Sequence, residues 1–370
     1  MSGDRPRSLV RVLGISLVTL LVGVVALEIA LRARQPRVVE KEGGLPDWSH
    51  AFLRETEGGW RLRPNVDVVL ENHPVSKRTT HVVTNSWGMR GPEISEAKPP
   101  GEIRVLVLGD SITIGDYLDD DEVWTRRLEK ELAPHAPGHT IRVLNAGVTG
   151  IGVREEVAIL RDVGMRLLPD LVLVAFYLND ARPPWGFRHE LTHRGWWRRH
   201  SAIVDGVYKT AKLRGWMKRS GYQKLGWLRM ENTVDWRSDP AVFARFAEAA
   251  RVDWGAAWDD ATWQTVAKAF DEIRDLAARG GFAVALTTFP VKYQVLATAP
   301  HDEPQRRVAE LAAEHGWPAL DLLPLFRAHA DEDQFFDQCH PREAANARVA
   351  KAVAEFLAGT PAWATVSGPR

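Results

Sequence analysis

The hydrophobic rhythm of the chain changes three times. From Val12 to Ala30 the run VLGISLVTLLVGVVALEIA is apolar except for Ser16, Thr19 and Glu28, and that is about the length a helix needs to cross a bilayer. Residues 32–100 carry no long helical pattern and are broken by GGLP, RPN, HP and KPPG, all turn formers. Within them VDVVL and THVVT predict short strands of a small β extension. From residue 101 apolar runs alternate with amphipathic stretches. The runs predict strands at 103–108, 140–145, 171–177, 282–289 and 319–322, and the stretches predict helices near 121–133, 152–166, 262–279 and 303–315. A last helix, REAANARVAKAVAEFL, sets Val349, Val353, Phe356 and Leu357 on one face and stops at Gly359. Alternation of this kind means α/β, a parallel sheet wrapped by helices.

One stretch breaks the alternation. Between Ala181 and Met230 twelve Lys or Arg face two acids, Glu190 and Asp205, and Trp185, Trp196, Trp197, Trp216 and Trp227 lie among them. The whole chain has a formal net charge of zero, so this patch of net +10 leaves the remainder at net −10. A basic, Trp-rich insertion over 181–260 has two readings: a helical cap whose tryptophans are its core, or a surface for an anionic membrane or a polyanionic substrate, with Arg194, Arg198 and Arg199 as contacts. The overall neutrality gives no reason to expect nucleic acid. Cys339 is the one cysteine among 370 residues, so neither an internal disulfide nor a multi-cysteine metal site is possible.

The chemistry gathers where strands end. The run IRVLVLGDSITIG delivers Ser111 to the carboxyl end of a strand buried on both faces, with Gly109 making the turn and Asp110 suited to cap the helix that follows. LNAGVTG follows the second strand, FYLND closes the third, and DQCHP precedes the last helix. A serine needs an adjacent base to become nucleophilic, and the base needs a carboxylate to fix its tautomer. An Asp three residues before a His on a tight turn can reach that ring. Pro341 suits the first position of the last helix, which would put His340 at a helix N-terminus.

These four blocks in this order resemble the SGNH (GDSL) hydrolase family over residues 101–357, and TNSWGMRGPE at 84–93 is similar to the lead-in of its membrane-anchored bacterial members. The resemblance implies a flavodoxin-like three-layer α/β/α sandwich with a parallel five-stranded sheet. It makes Ser111 the nucleophile, His340 the general base and Asp337 its orienting carboxylate. It also makes the Ser111 and Gly147 backbone N–H groups and the Asn179 side chain the oxyanion hole, with no metal and no organic cofactor. Asp180 is left as structural. Ala345 and Asn346 depart from the family pattern, which often has Gly-His there, and no glycine stands two residues before Asn179.

The expected division is a tail over 1–11, an anchor over 12–31, a linker and β extension over 32–100, the hydrolase domain over 101–360 with its insertion, and a tail over 361–370. No convincing small-x-small site lies around Ala26 to Ala33 and no lipobox cysteine is present, which favours an uncleaved single-pass anchor over a cleaved signal. Arginines stand on both sides of the span, so charge does not orient it. The resemblance implies an extracytoplasmic catalytic domain. The function expected is a serine esterase acting on O-acyl or O-acetyl esters, with an acylated glycan or a lipid as substrate. Alternatives are an SGNH-type O-acyltransferase and a non-catalytic glycan-binding relative. A short-chain dehydrogenase reading of Gly147, Gly150, Gly152, Tyr208 and Lys212 fails, because the glycines follow the second strand and lack an acidic ribose partner.

Overall fold

The computed structural model describes residues 5–34, 37–40, 53–56, 59–182, 196–219 and 226–368. Helix α1 (Arg5–Arg34) is exposed over most of Val10–Arg34, a stretch long and apolar enough to cross a membrane. The expected β extension follows as two small sheets. β1 (Arg37–Glu40), β4 (Asp67–Glu71) and β5 (Thr80–Val83) form one antiparallel sheet, and β2 (Leu53–Thr56) pairs with β3 (Gly59–Leu62) in the other.

The main body is built on a five-stranded, wholly parallel sheet of β6 (Glu102–Gly109), β7 (Thr140–Asn145), β8 (Leu171–Tyr177), β9 (Ala283–Phe289) and β10 (Ala319–Asp321), in the spatial order β10-β9-β8-β6-β7. Every residue of β6 and β8 is buried; β8 is a continuous apolar run, as a strand covered by helices on both faces requires, and in β6 the buried Arg104 is paired with Glu102 at 2.6 Å. The chain steps from β6 out to β7, then back past β6 to β8. Since parallel crossovers are right-handed, α2 (Trp124–Leu132) and α3 (Val153–Asp162) fall on opposite faces. Accordingly α2 packs against α8 (Glu343–Ala358) and α3 against α6 (Asp260–Gly280). α7 (Glu303–Glu314) precedes β10. This is the three-layer sandwich expected. Val349, Val353 and Leu357 of α8 are buried, with Phe356 partly so.

Of the expected tail over 361–370, the described residues 361–368 belong to the fold instead. α9 (Pro361–Ser367) is capped by Thr360, whose hydroxyl accepts from the Trp363 amide at 3.1 Å, and it buries Trp363 and Val366 against the sheet. A capping threonine followed by proline, with two apolar residues three apart, is a helix start.

The insertion divides in two. Its second half, with α5 (Pro240–Ala249), is an aromatic core: Trp227, Trp236, Phe243, Phe246 and Trp254 are buried and meet the ring of Tyr293 or one another edge-on and stacked. The first half runs from a short helix at Trp196–His200 into α4 (Ala202–Arg219). There Trp196 and Trp197 are 56% and 72% exposed. Arg198 was read as an exposed contact but is buried, its guanidinium paired with Asp205 at 2.9 Å and set over the Tyr208 ring. Trp185 and Arg194 lie outside the described residues, as do the side chains of Arg199 and Trp216.

Candidate active site

In an open α/β sheet, ligands bind beyond the carboxyl ends of the strands where strand order reverses. Here that point lies between β6 and β8. β6 ends at Gly109, and the next residues form a single helical turn, Ser111–Ile114, whose N-cap Asp110 accepts from the Ile112 amide at 2.9 Å. Asp110 therefore caps, as expected. Its other oxygen also accepts from the Ser111 hydroxyl at 3.2 Å. Gly109 has no room for a side chain, since a Cβ would lie 2.2 Å from Thr113 Oγ1.

His340 arrives from the loop between β10 and α8. Its Nε2 lies 2.9 Å from Ser111 Oγ and its Nδ1 lies 2.7 Å from Asp337 Oδ2. Asp337 Oδ1 accepts the backbone N–H groups of Cys339 and His340, both at 3.0 Å, so the tight turn foreseen from the three-residue spacing is held by the carboxylate itself. One expectation fails. His340 is not at a helix N-terminus: α8 begins at Glu343, and Pro341 instead pairs with Phe335 in an antiparallel bridge. The Phe336 amide donates to the His340 carbonyl and the Arg342 amide to that of Gln334, closing the loop before the helix starts. Tyr117 packs edge-on against the imidazole at 4.9 Å between ring centres.

Burial alone disfavours imidazolium, but Asp337, followed by Asp110 and Asp116, outweighs it and raises the His340 pKa above its ordinary value. Burial likewise resists ionisation of Asp337, yet His340 and the two backbone donors hold its carboxyl down at about 2. A buried histidine between a serine hydroxyl and an ionised carboxylate can accept a proton from the first while the second keeps Nδ1 protonated.

Gly147 and Asn179 lie on the loops after β7 and β8. The N–H of Gly147 donates to Asn145 Oδ1 at 3.0 Å, while Asn145 Nδ2 donates to the Thr113 carbonyl at 2.7 Å, so one side chain ties the glycine loop to the serine turn. A Cβ on Gly147 would stand 2.3 Å from the Ile114 nitrogen, which is why this position must be glycine. Asn179 is 8% exposed, and its Oδ1 is buried with no hydrogen-bond partner among the described residues. Neither its Nδ2 nor the Ser111 amide is engaged by any described acceptor.

Several contributors escaped the sequence reading. Arg90, within the TNSWGMRGPE stretch, is buried and donates to the carbonyls of Ile114 and Leu118, both at 2.8 Å, bracing the loop that leaves Ser111. Asn346, noted only as a departure, accepts from the Trp124 amide at 3.0 Å and donates to the Pro341 carbonyl at 2.8 Å, joining α2 to the histidine loop. Asp180 Oδ2 accepts from the Tyr177 amide at 2.6 Å and shapes the Asn179 turn. Asp180 and Glu156 are both fully buried, and burial pushes each well above the ordinary carboxylate value, joined at Asp180 by Glu156 and Asp110 and at Glu156 by Asp110, while a hydrogen bond with Asp180 pulls Glu156 partly back. Asp253, at the end of the insertion, is pushed up to about 6, by burial first and then by Asp337 and Asp110, against the pull of Arg182 and His340. No local motif announces Glu156 or Asp253; an isolated acid in a sequence looks like surface.

The family of GDSL-like lipases and acylhydrolases matches residues 107–348 of the chain. The chain belongs to that family. It is an SGNH-type ester hydrolase, with the fold expected of one. Among solved structures it is similar to the acetyl xylan esterase AlAXEase, at 15% identity over 68% of this chain and 98% of that one with a TM-score of 0.38. It is also similar to TesA, at 18% identity over 69% and 97% with a TM-score of 0.38. A third is the lipase/acylhydrolase from Enterococcus faecalis, at 14% identity over 70% and 96% with a TM-score of 0.39. No curated protein matches the chain.

Proposed function

We propose that this SGNH hydrolase is a membrane-anchored serine esterase that cleaves O-acyl or O-acetyl esters through an acyl-enzyme. The observation that carries the reading is the continuous line from Ser111 Oγ through His340 to Asp337, with contacts of 2.9 and 2.7 Å. Ser111 Oγ attacks the ester carbonyl as His340 Nε2 takes its proton. Asp337 holds the proton on Nδ1 and stabilises the imidazolium. That proton then passes to the departing alcohol, and a water activated by the same imidazole releases the acid and restores Ser111. The tetrahedral oxyanion is met by the Ser111 N–H and the Asn179 amide, both unengaged, and by the Gly147 N–H, which shares itself with Asn145 Oδ1.

α1 is the anchor, and the catalytic domain lies outside the cytoplasmic membrane. An acylated glycan or lipid is the substrate class, and the acyl group goes to water. Transfer to a sugar hydroxyl is the alternative, read out as a new ester instead of a free acid. The deciding experiment is fluorophosphonate labelling and esterase assay of Ser111→Ala with nitrophenyl esters of increasing chain length. The variant should take no label and lose turnover on the order of 10⁴-fold or more. Undiminished labelling would sink the assignment.

A further inference from the structure

We propose that α4 and the short helix before it, residues 196–219, are seated in the membrane interface and locked there by Glu28 of α1. This rests on the reading of α1 as an uncleaved anchor. The apolar run Val12–Ala30 rises roughly 28 Å as a helix, close to the hydrocarbon thickness. Glu28, near the end of that run, therefore stands at the hydrocarbon edge, where a carboxylate must be fully satisfied. It is satisfied by the insertion. Its oxygens accept the Ala202 amide at 2.7 Å, the Ile203 amide at 3.1 Å and the Ser201 hydroxyl at 3.0 Å, and Arg32 pairs with it at 2.6 Å. Arg32 also donates to the His200 carbonyl, and Asn72 of the β extension donates to the Arg34 carbonyl at 3.2 Å. Hydrogen bonds transfer depth: the N-terminus of α4 lies where Glu28 lies.

The surface that this docking presents suits that depth. Trp196, Trp197, Val204 and Val207 are exposed, and an apolar groove between α1 and α4 is lined by Leu27, Leu31, Ile203, Val207 and Ala211. Tryptophans belong in the interfacial belt, and apolar side chains just below it. Residues 196–219 also carry seven Lys or Arg against one acid, Asp205. Asp205 is buried and paired with Arg198 and Lys209, which leaves the segment with a formal net charge of +6. The occupant of this face is an anionic phospholipid bilayer, and the domain is held against it instead of swinging on a tether.

The test uses the full chain in nanodiscs of phosphatidylcholine alone or with phosphatidylglycerol. In a Cys339→Ser background, nitroxides are placed singly at Val207→Cys, at Thr210→Cys as a second reporter on the same face, at Glu310→Cys on the exposed side of α7 and at Leu17→Cys within the anchor. The accessibility of each to oxygen and to an aqueous nickel chelate is then measured. Val207 and Thr210 should be several-fold less open to nickel than Glu310, more strongly so with phosphatidylglycerol. Glu28→Ala should abolish that difference while Leu17 stays buried. Nickel accessibility at both Val207 and Thr210 equal to that at Glu310, with Leu17 buried, would overturn the seat and leave the anchor intact. An aqueous Leu17 would instead overturn the anchor, and the seat with it.

Discussion

The sharpest test of the histidine–carboxylate pair is Asp337→Asn. The amide keeps the size of the carboxylate, and its oxygen still accepts the backbone N–H groups of Cys339 and His340. What changes is the group facing Nδ1: an NH₂ now donates there, so the imidazole carries its proton on Nε2 and cannot receive one from Ser111. Holding the Asp337 carboxyl at about 2 instead of 3.8 corresponds to about 2 kcal/mol in favour of the ionised form, allowing for its partial exposure to water. Because that pKa is depressed, the stabilisation is present above pH 3.8 and is lost as pH falls through about 2. It is therefore intact throughout an assay at neutral pH. Turnover should fall by about 10³- to 10⁴-fold, the scale on which a wrong tautomer acts in a Ser-His-Asp site. The pH profile gives a second readout. Activity needs neutral His340, whose pKa is raised against burial chiefly by Asp337. Removing that charge leaves burial less opposed, so the acid limb of the residual activity should move to lower pH. The assay is nitrophenyl acetate hydrolysis across the pH range, with thermal melts to show that the variant is folded. An unmoved acid limb, or a fall of less than about tenfold, would refute the pairing argued from the 2.7 Å contact.

For Asn179→Ala, turnover should drop by about 10² to 10³ while fluorophosphonate labelling is slowed but persists, since one oxyanion donor is lost and the nucleophile stays; unchanged turnover would remove Asn179 from the site. Gly147→Ala should both destabilise the protein, by about 1–3 kcal/mol in chemical denaturation, and cripple labelling at Ser111, because the new Cβ meets the Ile114 nitrogen at 2.3 Å. A fold and labelling rate like the parent's would show that the serine turn has slack. In Asn346→Ala the buried Trp124 amide and Pro341 carbonyl lose their partner, which should cost about 1–3 kcal/mol of stability; a melt within error of the parent's would contradict the clamp.

Much of this molecule was legible without its coordinates. The alternation of apolar runs with amphipathic stretches points to a parallel sheet, because a strand covered on both faces is mostly apolar, and 105–108 and 171–177 are wholly so. The places of Ser111, Gly147, Asn179 and the Asp337–His340 pair in the fold were readable because each sits in a short motif at the end of an element, where backbone geometry is local. The start of α8 was misplaced for the opposite reason. Pro341 is a good first helical residue, but here it is held in a bridge to Phe335, and its carbonyl is taken by Asn346, neither of which its neighbours in sequence reveal. Composition likewise could not divide the insertion into a buried aromatic core around Trp254 and an exposed Trp196–Trp197 edge, since tryptophan serves both. Nor could it assign Arg90, Glu156 or Asp253. Their roles arise from burial and from partners on other elements, and only the fold decides which charges lose their water and which neighbours replace it.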